Sequence, residues 1–297
     1  MSQLLPATAL VFNAFIWGVS WWPFRALQDL GVHPLWATAL AYLLAVLCLL
    51  LWRPAALRAL FSHPQLWWLL LAAGLCNAGF NWAVTTGDVV RVVLLFYLMP
   101  AWSVLLAWPL LGERPGLAAL ARLALALAGV LVVLKQPGTP WPVPTSLPDW
   151  LALGAGFSFA LTNILLLRLK DTPPSGRMLA MFGGGALLAG GVALLGQTAG
   201  LVNVPPAPGL GWLLLTAALG LALVSGNIAL QYGAARLPAN ATALIMLSEV
   251  VFASLSSVAL GAAQLDGKTL LGAGLIGLAV LLASLAEPAA SAKEKTP

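Results

Sequence analysis

Asn81 to Glu113 reads NWAVTTGDVVRVVLLFYLMPAWSVLLAWPLLGE, and a related stretch, NIALQYGAARLPANATALIMLSEVVFASLSSVALGA, begins at Asn227. Asn81-Trp82-Ala83 lines up with Asn227-Ile228-Ala229, and Gly87 with Gly233. An arginine follows each glycine, at Arg91 and Arg236. A long apolar helix then runs on to Gly112 in one copy and to Gly261 in the other. The second copy carries Glu249, a carboxylate set deep inside an apolar run. Two related hydrophobic halves with polar residues inside their helices form the sequence pattern of a membrane carrier.

Composition excludes a soluble domain. Charged residues make up 8% of the 297-residue chain and its mean hydropathy is +0.96, whereas a soluble surface of this size needs roughly 25% charged residues. The length suits about ten spans, since each needs roughly 20 residues to cross about 30 Å of hydrocarbon. The net charge of +5 comes from bases scattered singly at helix ends. That spread carries topology information and offers no basic face for nucleic acid. Cys48 and Cys76 both fall inside apolar runs without metal-type spacing and read as packing residues. The first apolar run continues for a full span with no basic region ahead of it, so a retained helix is expected.

Ten apolar segments follow one another at 6–27, 34–52, 66–86, 89–111, 116–135, 149–169, 177–197, 210–233, 238–260 and 268–286. Breakers separate them, among them Arg53-Pro54, Gly87-Asp88, Pro173-Pro174 and Leu237-Pro238. The proline-rich stretch 136–148 excludes regular helix and divides the chain at its midpoint into 1–135 and 149–286. The tail, 287–297, is small and polar and reads as disordered.

Orientation follows from lysine and arginine. With the N-terminus in the cytoplasm, ten bases fall inside and four (Arg25, Arg91, Lys135, Lys268) outside, and an even number of spans returns the C-terminus to the cytoplasm. Repeats of five spans must enter the bilayer from opposite sides. The expected fold is therefore an all-α polytopic membrane protein with ten transmembrane helices in two inverted five-helix repeats. The first helix echoes the sixth as well: Trp17-Gly18-Val19-Ser20 lines up with Phe159-Ala160-Leu161-Thr162, with a base near each segment's end at Arg25 and Arg168.

Trp17-Gly18 in the first helix, Pro100 in the fourth, Gly112-Glu113 at its close and Glu249 in the ninth make the chain similar to the drug/metabolite transporter superfamily, built from EamA-type repeats. Two positions depart from that pattern: Gly261 is followed by Ala262 where the family often has glutamate, and Glu249 by Val250 where many members have proline. The tryptophan-rich first helix resembles most the exporters of aromatic and other neutral amino acids in the bacterial inner membrane. The resemblance implies a cavity walled by helices 1, 3, 4, 6, 8 and 9. It also implies that helices 5 and 10 act as support or as the face of a homodimer.

The candidate residues each carry two readings. An ionised carboxylate at mid-membrane costs about 2.5–3.5 kcal/mol on insertion scales. Glu249 therefore binds a substrate ammonium, exchanges a coupling proton, or stays neutral as a packing hydrogen bond. Asn81 and Asn227, in matched positions, and Asn13 and Asn163 either tie helices together or hold substrate polar groups. Trp17, Trp21, Trp82, Tyr97 and Tyr232 suit the wall of a pocket for a medium-sized, partly apolar substrate, or simply pack. Pro100 is a hinge or a fixed kink. Arg91 and Arg236 meet a substrate carboxylate or snorkel to headgroups. No metal motif, phosphate loop or nucleophile–base pair is legible, so the expectation is a carrier without cofactor or catalytic centre, with proton coupling as an option. Exporters of drugs or other metabolites, a passive channel and an intramembrane enzyme are the alternatives.

Overall fold

The computed structural model of the protein describes residues 4–112, 116–135, 143–234, 236–237, 245–246, 248–262 and 266–286. Among the described residues the chain is helical, without strands. The helices are α1 (Leu4–Val19), α2 (Trp21–Asp29), α3 (Pro34–Trp52), α4 (Ala55–Ser62), α5 (Leu66–Thr86), α6 (Val89–Phe96), α7 (Met99–Leu111), α8 (Leu117–Leu134), α9 (Leu147–Arg168), α10 (Pro174–Thr198), α11 (Leu210–Ala234), α12 (Ser248–Ala259) and α13 (Gly267–Ala286).

Among the described residues eight stretches are long and apolar enough to cross a bilayer: Leu4–Asp29, Pro34–Trp52, Leu66–Thr86, Val89–Leu110, Leu117–Leu134, Leu147–Arg168, Pro174–Thr198 and Leu210–Gly233. Ser248–Ala259 and Gly267–Ala279 are apolar but shorter. They fall where the ninth and tenth spans are expected. Residues 238–244 and 247, which open the expected ninth span, lie outside the described residues, as do Glu113, much of the proline-rich stretch and the tail 287–297. Large apolar side chains point outward, with Leu51 86% and Leu195 72% exposed. Outward leucine is stable only where the surroundings are lipid. The chain is a multi-pass helical membrane protein.

Several helix boundaries follow from proline. Pro23 has no N–H for the Val19 carbonyl, and the first span divides at Ser20 into α1 and α2. Pro100 has none for Phe96, and the fourth span divides at Tyr97–Leu98 into α6 and α7, leaving Pro100 in the first turn of α7 where proline is tolerated. In the same way Pro148 sits in the first turn of α9. That helix starts at Leu147, two residues ahead of the expected segment, with the Ser146 hydroxyl accepting from the Asp149 N–H. The short helix α4 was not expected from sequence. Its Ala56, Ala59 and Leu60 are buried while Leu57 and Phe61 are exposed.

Two compact units make up the chain, and each draws on both sequence halves. One comprises Met1–Val19, Asp88–Thr145 and Ser225–Pro297, the other Ser20–Gly87 and Ser146–Val224. In the first, α8 packs on α13 and α1 on α12. A Cβ on Gly129 would lie 3.0 Å from the Gly272 carbonyl, and one on Gly272 3.2 Å from the Gly129 carbonyl, so these two backbones approach as closely as glycine allows. In the second unit α5 is packed between α9 and α10. A Cβ on Gly184 would lie 2.1 Å from the Leu70 carbonyl, and one on Gly74 2.5 Å from that of Gly184. Small residues do in lipid what apolar burial does in water: they let dispersion forces act over a long seam.

Candidate functional site

The first unit holds a cluster around Glu249. Gly18 brings α1 against α12, since a Cβ there would stand 2.8 Å from the Glu249 carbonyl oxygen and 2.7 Å from Phe252 Cβ. Phe15 meets Phe252 edge to face at 5.4 Å. This close approach accounts for the glycine after Trp17, and Trp17 itself is half-buried. The Glu249 side chain is also half-buried, near the start of the described part of α12. Its hydrogen-bond partner among the described residues is the buried Tyr97, whose hydroxyl lies 3.3 Å from Oε2 and 3.5 Å from the Met246 carbonyl. Both distances are long for O–H···O, where about 2.7–2.8 Å is usual. A carboxylate offers about four lone-pair positions, so most of its capacity is unspent.

Tyr97 reaches this place because Pro100 stops the helix just ahead of it. The residue caps α6 at the break, with its N–H on the Val93 carbonyl at 2.9 Å. Asn13 completes the cluster. It is fully buried, donates from Nδ2 to the Met246 sulfur at 3.4 Å, and its Oδ1 has no hydrogen-bond partner. That oxygen faces Gly226, at 3.3 Å from the position of a Cβ there.

The remaining candidates of this unit are apart from that cluster. Asn227 accepts from Gln231 Nε2 at 2.8 Å within α11. Tyr232 lies under the Arg236 guanidinium at 3.9 Å, while Arg236 donates to the Tyr232 carbonyl at 3.0 Å.

In the second unit, Asn81 is fully buried and donates to Thr38 Oγ1 at 3.2 Å; Thr38 in turn donates to the Pro34 carbonyl at 2.8 Å. Tyr42 donates to Asn77 Oδ1 at 2.9 Å. Both chains link α3 to α5. Trp82 packs beside a cluster that includes Leu35, Ala78 and Ala189, and meets the His33 ring edge-on at 5.2 Å. Burial lowers the His33 pKa below the ordinary histidine value, and its Nδ1 accepts the Leu35 N–H at the start of α3. Trp21 is buried with the Arg25 guanidinium 5.2 Å from its ring, and Asn163 is exposed on α9.

Arginines that read as topology signals have a second task here. Arg25 donates to the Thr85 carbonyl at 3.0 Å and to that of Gly87, at the end of α5. Arg91 donates to the Val133 carbonyl at the end of α8. Arg177 donates to the carbonyls of Leu169, Lys170 and Thr172 at 2.8, 2.6 and 3.1 Å, just past α9. Helix ends leave carbonyls without intrahelical partners, and a cation there meets both the lone pairs and the negative end of the dipole. Residue spacing alone could not have found these pairs, because all six carbonyls belong to the ends of other helices or to the loop before α10.

Residues 4–135 match the EamA-like transporter family. A crystal structure similar in fold covers 94% of this chain and 96% of its own, with a TM-score of 0.59 at 20% identity. At that identity the likeness is one of fold alone. No curated protein matches the chain.

Proposed function

We propose that the protein is a secondary transporter that exports neutral amino acids, the aromatic ones and methionine among them, or small metabolites of like chemistry, across a bacterial inner membrane by alternating access. The observation that carries this reading is the Glu249 carboxylate: half-buried in an apolar helix and met by one long hydrogen bond from Tyr97. An ammonium group is a natural third partner for a carboxylate left with spare lone pairs in a low-dielectric place. The Tyr97 ring beside it suits an apolar side chain. The family matched by residues 4–135 is one of transporters, which agrees in kind.

In this reading ten spans form two inverted five-span repeats, and both termini lie in the cytoplasm. The break ahead of Pro100 serves as the hinge, because a helix without its local backbone bonds bends at low cost. Glu249 exchanges the substrate ammonium for a proton, which couples export to the proton gradient. Protonation on substrate release avoids leaving a bare anion in the membrane.

Counterflow in liposomes tests the reading. Preloaded methionine or phenylalanine should stimulate labelled methionine uptake in a saturable way, with glutamate a poor competitor. Glu249→Gln should cut that flux by about tenfold or more, the worth of one charged hydrogen bond, while the variant still inserts and purifies as a monodisperse species. Flux without counterflow, or wild-type flux in Glu249→Gln, would overturn it.

A further inference from the structure

In the second unit a cavity of about 450 Å³ lies where the loop between α4 and α5 meets the end of α9. It is lined by His63, Gln65, Trp68, Arg168, Asp171 and Thr172. Its depth in the bilayer follows from the elements around it. The candidate span Leu66–Thr86 starts there and the candidate span Leu147–Arg168 ends there. Trp68, 66% exposed, is the kind of side chain that settles at the headgroup level.

The chemistry of the lining is mixed in sign. Arg168 and Asp171 are both exposed, and among the described residues neither has a hydrogen-bond or ion-pair partner, each other included. Arg168 thus differs from Arg25, the base that stands at the matching place in the first repeat and is spent on the carbonyls of Thr85 and Gly87. The rim is ordered in advance. Arg177 holds the carbonyls of Leu169, Lys170 and Thr172, and so fixes the loop that presents Asp171. On the other side His63 Nδ1 lies 2.9 Å from the Ala59 carbonyl. A carbonyl only accepts, so Nδ1 carries a proton and holds the ring at the rim.

We infer that this cavity binds the headgroup of a zwitterionic phospholipid with a primary ammonium, phosphatidylethanolamine in kind, taken from the surrounding bilayer. Arg168 meets the phosphodiester, for which a guanidinium offers paired donors. Asp171 takes the ammonium. A volume of this order lies within the roughly 300–1,000 Å³ of small-molecule sites. The acyl chains run along the apolar surface beside Trp68. The site is independent of the Glu249 cluster and of the transport reading.

The full chain in nanodiscs of equimolar phosphatidylethanolamine and phosphatidylglycerol, analysed by native mass spectrometry for retained lipid, tests this. Wild type should retain phosphatidylethanolamine over phosphatidylglycerol. Arg168→Gln should lower that retention about fivefold, as expected for one exposed ion pair, and Arg168→Lys should keep most of it. Asp171→Asn should abolish the preference between the two lipids while leaving retention of the anionic one. Unchanged melting temperature and monodispersity certify each variant. Equal retention of both lipids by wild type, or wild-type behaviour in Arg168→Gln, would overturn the assignment. So would displacement of the lipid by equimolar soluble glycerophosphoethanolamine, which would give the cavity to a free metabolite instead of the bilayer.

Discussion

The polar contacts between α3 and α5 and those around α12 differ in length. Between α3 and α5, the Tyr42–Asn77 bond is 2.9 Å, Asn81 reaches Thr38 at 3.2 Å, and Thr38 passes the chain on to Pro34 at 2.8 Å. Around α12 the contacts are 3.3 and 3.5 Å from Tyr97 and 3.4 Å to a sulfur from Asn13. Each cluster leaves one amide oxygen without a hydrogen bond, on Asn81 and on Asn13. What distinguishes the second cluster is an accessible carboxylate with a single long bond. Short interhelical hydrogen bonds hold helices together in lipid, whereas a carboxylate with one long bond has capacity left for something that comes and goes. The amides of the α3–α5 seam bond across that seam, and Glu249 with Tyr97 is the working pair of the proposed transport reading.

The largest effect is expected where that seam depends on the backbone itself. Gly184→Val in α10 sets a branched side chain against the Leu70 carbonyl and should cost about 3 kcal/mol or more, enough to remove most folded protein. Gly191→Val in the same helix meets nothing within 4 Å and should express as wild type. Equal yields from the two, read by fluorescence-detected size exclusion, would show that the α5–α10 contact is not a rigid frame.

Next comes Tyr97→Phe. It removes the 3.3 Å hydrogen bond to Glu249 and keeps the ring. Flux per folded molecule should fall about three- to tenfold, with a melting shift too small to explain it. A drop in stability alone would make Tyr97 a packing residue. In a double-mutant cycle with Glu249→Gln the two losses should be less than additive, since each disables the same pair.

Asn81→Ala should behave in the opposite way. Stability falls by about 1 kcal/mol as the bond to Thr38 is lost, while flux per folded molecule stays within about twofold of wild type. A large flux loss at unchanged stability would return Asn81 to the binding residues.

The smallest effect is a pH dependence at the start of α3. His33 has its pKa lowered by burial, so the unfolded chain takes up a proton more readily than the folded one. Stability tied to it is full above the ordinary histidine pKa and declines as pH falls through that value toward the depressed one. Protonation also removes the acceptor that receives the Leu35 N–H. His33→Asn keeps a side-chain oxygen for the cap and should flatten the decline in melting temperature between neutral and mildly acidic pH. An unchanged pH profile would place the titrating group elsewhere.

Several boundaries were legible from residues because their cause is local. Pro34–Trp52 and Leu66–Thr86 begin and end where hydropathy and breakers put them. The breaks ahead of Pro23 and Pro100 follow from a missing N–H. The α4 helix escaped notice because eight residues with only three buried positions give no span-length signal. At the candidate site, Glu249 stood out as a lone carboxylate in an apolar run, yet nothing in the residue order pointed to Met246 as the atom that links Asn13 to Tyr97.

By itself the sequence determined that the chain lives in lipid, since apolar runs of this length cannot be hidden any other way, and roughly where each run starts and stops. Tertiary structure alone decided which polar side chains are spent and which are spare. Arg25 and Arg168 each stand near the end of an apolar segment, but among the described residues Arg25 has carbonyls to hold and Arg168 has none. Partnership depends on which helix ends fold back beside a side chain, and pairs such as Tyr97 with Glu249, far apart along the chain, leave no trace in local periodicity.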